Sequence, residues 1–149
     1  MVTLRAMSKP RHDRWAAAIW PVYYGELIQA GFSEEVAKRD ASPNPENSIE
    51  YGKVSPGNHI LEVVLEGKDI GNVWLVDQGV EWWIYDIEID EAHRGKGLGR
   101  LAMRAIESYV KEHGGTTVWL SVFGFNQTAQ TLYLSEGFES ARLQMKKRL

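Results

Sequence analysis

The sequence predicts a mixed α/β (α+β) fold, with helices packed on a mostly antiparallel sheet. Three observations carry that expectation. Apolar residues alternate with period two in three successive runs between Ile60 and Ile89, the signature of a meander of half-buried strands. Leu98, Ala102, Ala105, Ile106, Tyr109 and Val110 recur at helical spacing directly afterwards. A further strand pattern and a short helix then follow, so both element types share one chain of 149 residues, a length that suits a single domain spanning 1–149.

Taken in order, Val2–Arg5 alternates and predicts a short first strand. Between His12 and Ala41 the pattern is helical: Asp13 caps a helix beginning at Arg14, Pro21 and Gly31 punctuate the run, and Ser33 followed by Glu34, Glu35 and Val36 starts a second helix. Asp40–His59 gathers Pro43, Pro45, Pro56, Gly52 and Gly57 and reads as a loop. Loops of this length usually serve a site, and this one is expected to fold over a substrate pocket. Ile60–Glu66 and Ile70–Val76 form a hairpin about Gly67-Lys68-Asp69, and Glu81–Ile89 adds a third strand after Asp77-Gln78-Gly79. A helix follows over Leu98–His113, stopped by Gly114-Gly115. Thr117–Val122 is a strand, Asn126–Glu136 a helix closed by Gly137, and Phe138–Lys147 a last strand. The order is β-α-α-β-β-β-α-β-α-β.

The composition is that of an ordinary globular protein, 44% hydrophobic and 25% charged. A net charge of −3 gives no electrostatic reason for nucleic-acid or anionic-membrane binding. The chain has no cysteine, which removes disulfides, thiolate metal sites and cysteine nucleophiles. His12, His59, His93 and His113 show no metal-ligand spacing, so no metal is expected. Neither a signal-peptide pattern nor an apolar run of membrane-spanning length is present, and the expected location is cytoplasmic.

Between the third strand of the meander and the long helix lies Arg94-Gly95-Lys96-Gly97-Leu98-Gly99-Arg100. The first turn of a helix offers unpaired N–H groups and the positive end of the helix dipole, and glycines admit phosphate oxygens close to the backbone. Arg94, Lys96 and Arg100 add positive charge beside that cradle. A plain strand-to-helix turn with solvated basic residues fits the glycine count equally. The spacing is wrong for a Walker A loop. It also fails the dinucleotide fingerprint, because Arg100 stands where the third glycine is required.

The motif Arg/Gln-x-x-Gly-x-Gly/Ala is met by Arg94, Gly97 and Gly99, and here the chain resembles the GNAT superfamily of N-acetyltransferases. A second family motif, Asn-x-x-Ala-x-x-Leu-Tyr-x-x-x-Gly-Phe, is present as Asn126, Ala129, Leu132, Tyr133, Gly137 and Phe138. The resemblance covers nearly the whole chain and implies a GNAT fold with one central sheet of six to seven strands and about four helices. It implies transfer of the acetyl group of acetyl-CoA to a primary amine by direct attack in a ternary complex. The alternative is a catalytically silent coenzyme A-binding or sensor module of the same fold.

The resemblance further implies that Ile87, Glu88 and Ile89 bind the pantetheine arm through their backbone. The backbone from Arg94 to Arg100 then takes the pyrophosphate, with Gly95, Lys96, Gly97, Leu98 and Gly99 between them, and Asn126 contacts the cofactor arm. A simple N-cap at Asn126 is equally consistent with its position. Tyr133 corresponds to the family's general acid, which protonates the departing thiolate, although a core aromatic one turn after Ala129 has the same spacing. Asp86 and Glu88 share one face of a strand and are candidate bases, ligands for a cationic substrate, or simply a solvated surface. The acceptor is a small-molecule or peptide amine of unread identity, and the resemblance is compatible with a homodimer.

Overall fold

The structure, a computed structural model, describes residues 1–149. Its elements are β1 (Val2–Ala6), α1 (Lys9–Ala30), α2 (Glu34–Asp40), β2 (Asn58–Leu65), β3 (Lys68–Gln78), β4 (Glu81–Ile89), a 3-10 turn at Glu91–His93, α3 (Leu98–Glu112), β5 (Thr117–Leu120) and α4 (Gln127–Ser135). The strands form one five-stranded sheet in the order β1-β2-β3-β4-β5. The first four are antiparallel to their neighbours, and β5 runs parallel to β4.

Alternation along β2 and β3 divides the core between two faces. On one face Leu61, Val63, Val73 and Leu75 pack with Ala102, Met103, Ile106 and Val110 of α3. On the other, Trp74 packs with Met7, Trp15 of α1 and Ile49. The expected loop is present over 41–57 and is anchored by burial of Ile49 and by a 2.7 Å hydrogen bond between His12 Nε2 and the Ile49 carbonyl. The β2–β3 hairpin closes through Glu66 and Gly67, both with positive φ, as a tight primed turn requires.

Three expectations are corrected. The first helix is capped at Ser8, not Asp13, because Pro10 is already suited to a first turn, where its missing N–H costs nothing. Pro21 does not divide that helix, which continues to Ala30; packing of Trp15, Ile19 and Trp20 against Trp74 holds it through the lost hydrogen bond. Phe138–Lys147 forms no strand, so the sheet has five strands where six to seven were expected. The segment alternates apolar and polar residues, but its Leu143 and Met145 stay exposed, and with no apolar face to bury it adds no strand to the free edge of β5. No helix is long and apolar enough to cross a membrane.

One irregularity places the site. In the β3–β4 ladder Trp74 pairs with Asp86 and Leu75 with Ile84, leaving Tyr85 as an extra, exposed residue. The bulge reverses the parity of everything after it. Trp82 and Ile84 before it, and Ile87 and Ile89 after it, all meet the α3 side of the sheet. Asp86 is thereby delivered to the α1 side, where Trp15 meets it. Gly71 permits the close approach of β3 here, since a Cβ on it would stand 2.3 Å from the Glu88 carbonyl oxygen.

Candidate active site

The pairing of β4 with β5 runs from Glu81 opposite Thr117 to Ile84 opposite Leu120 and stops there. Beyond Ile84, the β4 edge facing β5 has no ladder partner, through Ile87, Glu88 and Ile89. At the far end of β4, Asp90 N–H is tied to the Ile70 carbonyl at 2.8 Å, and the 3-10 turn leads into Arg94–Gly99. Gly97 is the N-cap of α3, with φ 75° and no side-chain cap. The first-turn N–H groups of α3 are therefore left for another acceptor. Open space lies where a side chain on Gly95 or Gly97 would stand, so the cradle admits a bulky anion.

The three basic residues of this turn are not equivalent. Arg94 donates to the Ile89 carbonyl at 2.8 Å and to Glu88 at 2.9 Å. Arg100 instead meets Glu136 beyond α4 at 2.9 Å, so it ties α3 to the end of α4. Asn126 is the N-cap of α4, accepting from the Ala129 N–H at 3.1 Å, and it also lines the cavity beside β5. Both readings left open by its position are compatible with that placement.

A cavity of about 1080 Å³ lies between α1, the 41–57 loop, the second half of β4, the end of β5 and α4. Asp86, Glu88, Asn126 and Tyr133 all line it, whereas the glycine turn lies outside its wall. The structure thus brings the expected acid and bases together and sets the phosphate cradle apart at the end of β4. Ser42, Asn44 and Asn47 of the loop also line the cavity, as expected for a loop that covers a pocket.

The candidate carboxylates differ sharply. Burial pushes the Asp86 carboxyl up to about 6, with the charges of Glu88 and Glu26 adding to the rise and the Trp15 N–H, at 2.9 Å, opposing it. Glu88 is exposed, and its carboxylate holds Arg94. Of the two, Asp86 has the environment of a base that is ionised just below neutral pH. Burial raises the Tyr133 hydroxyl above the ordinary phenol value, and the charge of Asp86 adds to it. That hydroxyl keeps its proton at neutral pH, while Leu132 and Tyr133 pack against the α3-side core. The core reading of Tyr133 is met by this packing, and the same residue lines the cavity.

Two residues essential to this geometry escape the sequence reading. Trp15 belongs to an ordinary aromatic cluster by its pattern, yet its indole fixes Asp86. Arg11 is 5% exposed and bonds Asp69 at 2.7 Å, Asn72 at 2.8 Å and Asp90 at 2.6 Å, so it pins α1 to β3 and to the end of β4. No local spacing signals either contact, because the partners are separated by 58 to 79 residues.

Comparison with known proteins agrees with this geometry. The sequence model of the acetyltransferase (GNAT) family matches residues 14–138. The chain is 30% identical to the uncharacterized N-acetyltransferase YdgE of Bacillus subtilis over 99% of its length and 98% of that protein. It is 28% identical to the N-alpha-acetyltransferase RimI of Mycobacterium tuberculosis over 83% of its length and 82% of that protein. Among solved structures, the uncharacterized N-acetyltransferase YycN of Bacillus subtilis superposes with a TM-score of 0.85 at 26% identity, covering 100% of this chain and 99% of that one. The fold, the two motifs and these relatives together make this chain an N-acetyltransferase of the GNAT family.

Proposed function

We propose that the chain moves the acetyl group of acetyl-CoA to a primary amine by direct attack in a ternary complex. The observation that carries this reading is the shared cavity: Asp86 and Tyr133 line it from β4 and α4, beside the stretch of β4 that β5 leaves unpaired. Family membership supports acetyl-CoA as the donor, and the residues present fit it. The open glycine cradle at the uncapped start of α3 suits a pyrophosphate, and the free β4 edge from Ile87 to Ile89 suits the amide-bearing pantetheine arm. Bound there, acetyl-CoA supplies an activated thioester.

The protein's own groups then handle two protons. Asp86, ionised above pH 6 or so, takes the proton that the acceptor ammonium must lose, directly or through one water. Neutral amine nitrogen forms the new C–N bond as the C–S bond breaks, the nitrogen sheds its second proton to solvent as the amide forms, and the Tyr133 hydroxyl gives its proton to the departing sulfur. Proton return from Asp86 to the phenolate through solvent restores the site. Holding amine and thioester in one cavity contributes further through proximity.

Tyr133→Phe tests the assignment. The variant should lose about 100-fold in kcat, measured as thiol release with a reactive amine, while calorimetric affinity for coenzyme A stays within about twofold. Unchanged turnover removes Tyr133 as the acid. A wild-type protein that binds acetyl-CoA but releases no thiol with any amine is instead the silent coenzyme A-binding module.

A further inference from the structure

The acceptor half of the cavity carries a charge imbalance that the acetyl-transfer reading leaves unexplained. Five carboxylates line the cavity: Glu26, Asp40, Asp86, Glu88 and Asp90. Three are accounted for by cations of the protein. Asp90 is held by Arg11 at 2.6 Å, Asp40 by Arg39 at 2.8 Å and Glu88 by Arg94 at 2.9 Å. The two arginines of the cavity wall are already engaged, because Arg11 bonds Asp69 and Asp90, and Arg14 lies 3.8 Å from Asp69. Glu26 on α1 and Asp86 on β4 remain. Asp86 is met only by the Trp15 indole, and no cation approaches Glu26.

These two carboxylates line one cavity from α1 and from β4, and the charge of Glu26 raises the cost of ionising Asp86. Burial and the charge of Glu88 push Glu26 up, and Glu26 in turn contributes to the rise at Asp86. Aromatic rings fill the wall between them, including Trp15, Trp20, Tyr23 and Trp83. Tyr23 lies near Phe123, at 6.2 Å between ring centroids, and Trp83 stacks on Trp119 at 5.4 Å. Two half-buried carboxylates without counter-ions, lined by aromatic faces, form a surface complementary to a molecule with two positive charges.

We propose that the acceptor is a small dication, a primary amine that carries a second ammonium group. Its reacting nitrogen lies at Asp86 and its distal ammonium pairs with Glu26, which makes Glu26 a specificity-determining residue. This rests on the acetyl-transfer reading for the reacting end, whereas binding of the distal charge stands apart from it. Aliphatic polyamines and aminosugars share this chemistry. Monoamines and amino acids, whose carboxylate meets Glu26 unfavourably, do not.

The test compares butylamine, 1,4-diaminobutane and neamine as acceptors for wild type, Glu26→Gln and Glu26→Asp. Each is also titrated without acetyl-CoA against the intrinsic tryptophan fluorescence of Trp15, Trp20 and Trp83. The expected result is a kcat/KM for the diamine or for neamine about tenfold or more above butylamine, carried mainly by KM and weakened by salt. Glu26→Gln should draw that ratio toward one and Glu26→Asp should restore part of it. A preference for neamine assigns the aminosugar source, and one for the diamine assigns the aliphatic source. Equal use of mono- and dication, or a ratio that Glu26→Gln leaves unaltered, overturns the proposal while leaving acetyl transfer intact. Should no amine be acetylated, the transfer reading falls. The fluorescence titration then still decides the dication: tighter binding than butylamine, lost in Glu26→Gln, upholds it, and equal binding refutes it.

Discussion

Replacing Asp86 by Asn should make the protein more stable and less active at the same time. The carboxyl has a folded-state value of about 6 against 3.8 for the unperturbed group. A group raised in this way binds protons more tightly in the folded state, so its ionisation works against folding as pH climbs between the two values. Integrated to pH 7.5, the penalty is about 3 kcal/mol, and at pH 5 it is about half of that. Asn keeps an oxygen that can accept the Trp15 N–H at 2.9 Å and removes the charge. Thermal unfolding of wild type and Asp86→Asn at pH 5 and 7.5 should therefore show a stabilisation of the variant that roughly doubles across that interval. On a chain of this size, each kcal/mol corresponds to about 2–4 °C in Tm. Thiol release with a reactive amine should meanwhile fall about 100-fold. A variant that is equally or less stable at pH 7.5, or whose advantage does not change with pH, refutes the argument that Asp86 ionises against its surroundings.

Three further outcomes follow from the same geometry. For wild type, log kcat/KM should rise with pH and level off above about 6, and Trp15→Phe should move that limb to higher pH, because the lost indole N–H was the influence holding Asp86 down. An unmoved limb in the variant separates Trp15 from the titrating group. Gly97→Val places a β-branched residue at φ 75° and fills the cradle, so calorimetry should show loss of coenzyme A binding while circular dichroism stays close to wild type. Arg11→Met leaves Asp69 and Asp90 without their cation and should lower stability by about 3–5 kcal/mol in urea titration, with retained stability marking the network as dispensable.

The parts of the fold that were legible are those set by local period and turn chemistry. Ser33 caps α2 through the Val36 N–H, Gly31 closes α1 in the left-handed conformation, and β4 has the bounds that its aromatic and β-branched run suggests. The open glycine turn at the start of α3 was legible for the same reason, since strand, glycines and helix are contiguous. What was not legible depends on partners distant in sequence. Pro21 reads as a breaker, yet tertiary packing of the surrounding aromatics overrides it. Phe138–Lys147 reads as a strand, but Leu143 and Met145 bury no apolar surface and the free edge of β5 stays unpaired. Asp86 and Glu88 look equivalent by spacing, and only the indole of Trp15 and the guanidinium of Arg94 tell them apart.

The bulge at Tyr85 turns the side of the sheet on which Asp86 lies into a matter of counting. The same residues in a regular ladder, with Tyr85 opposite Trp74, would send Asp86 into the hydrocarbon packed against α3 and turn Ile87 toward the cavity. A transplant of the run from Ile84 to Ile89 onto another scaffold must therefore copy the bulged pairing as well as the residues. A related chain one residue shorter at this point would lose the bulge and still keep its carboxylate on the α1 side, with Ile84 and Asp86 in consecutive pairs.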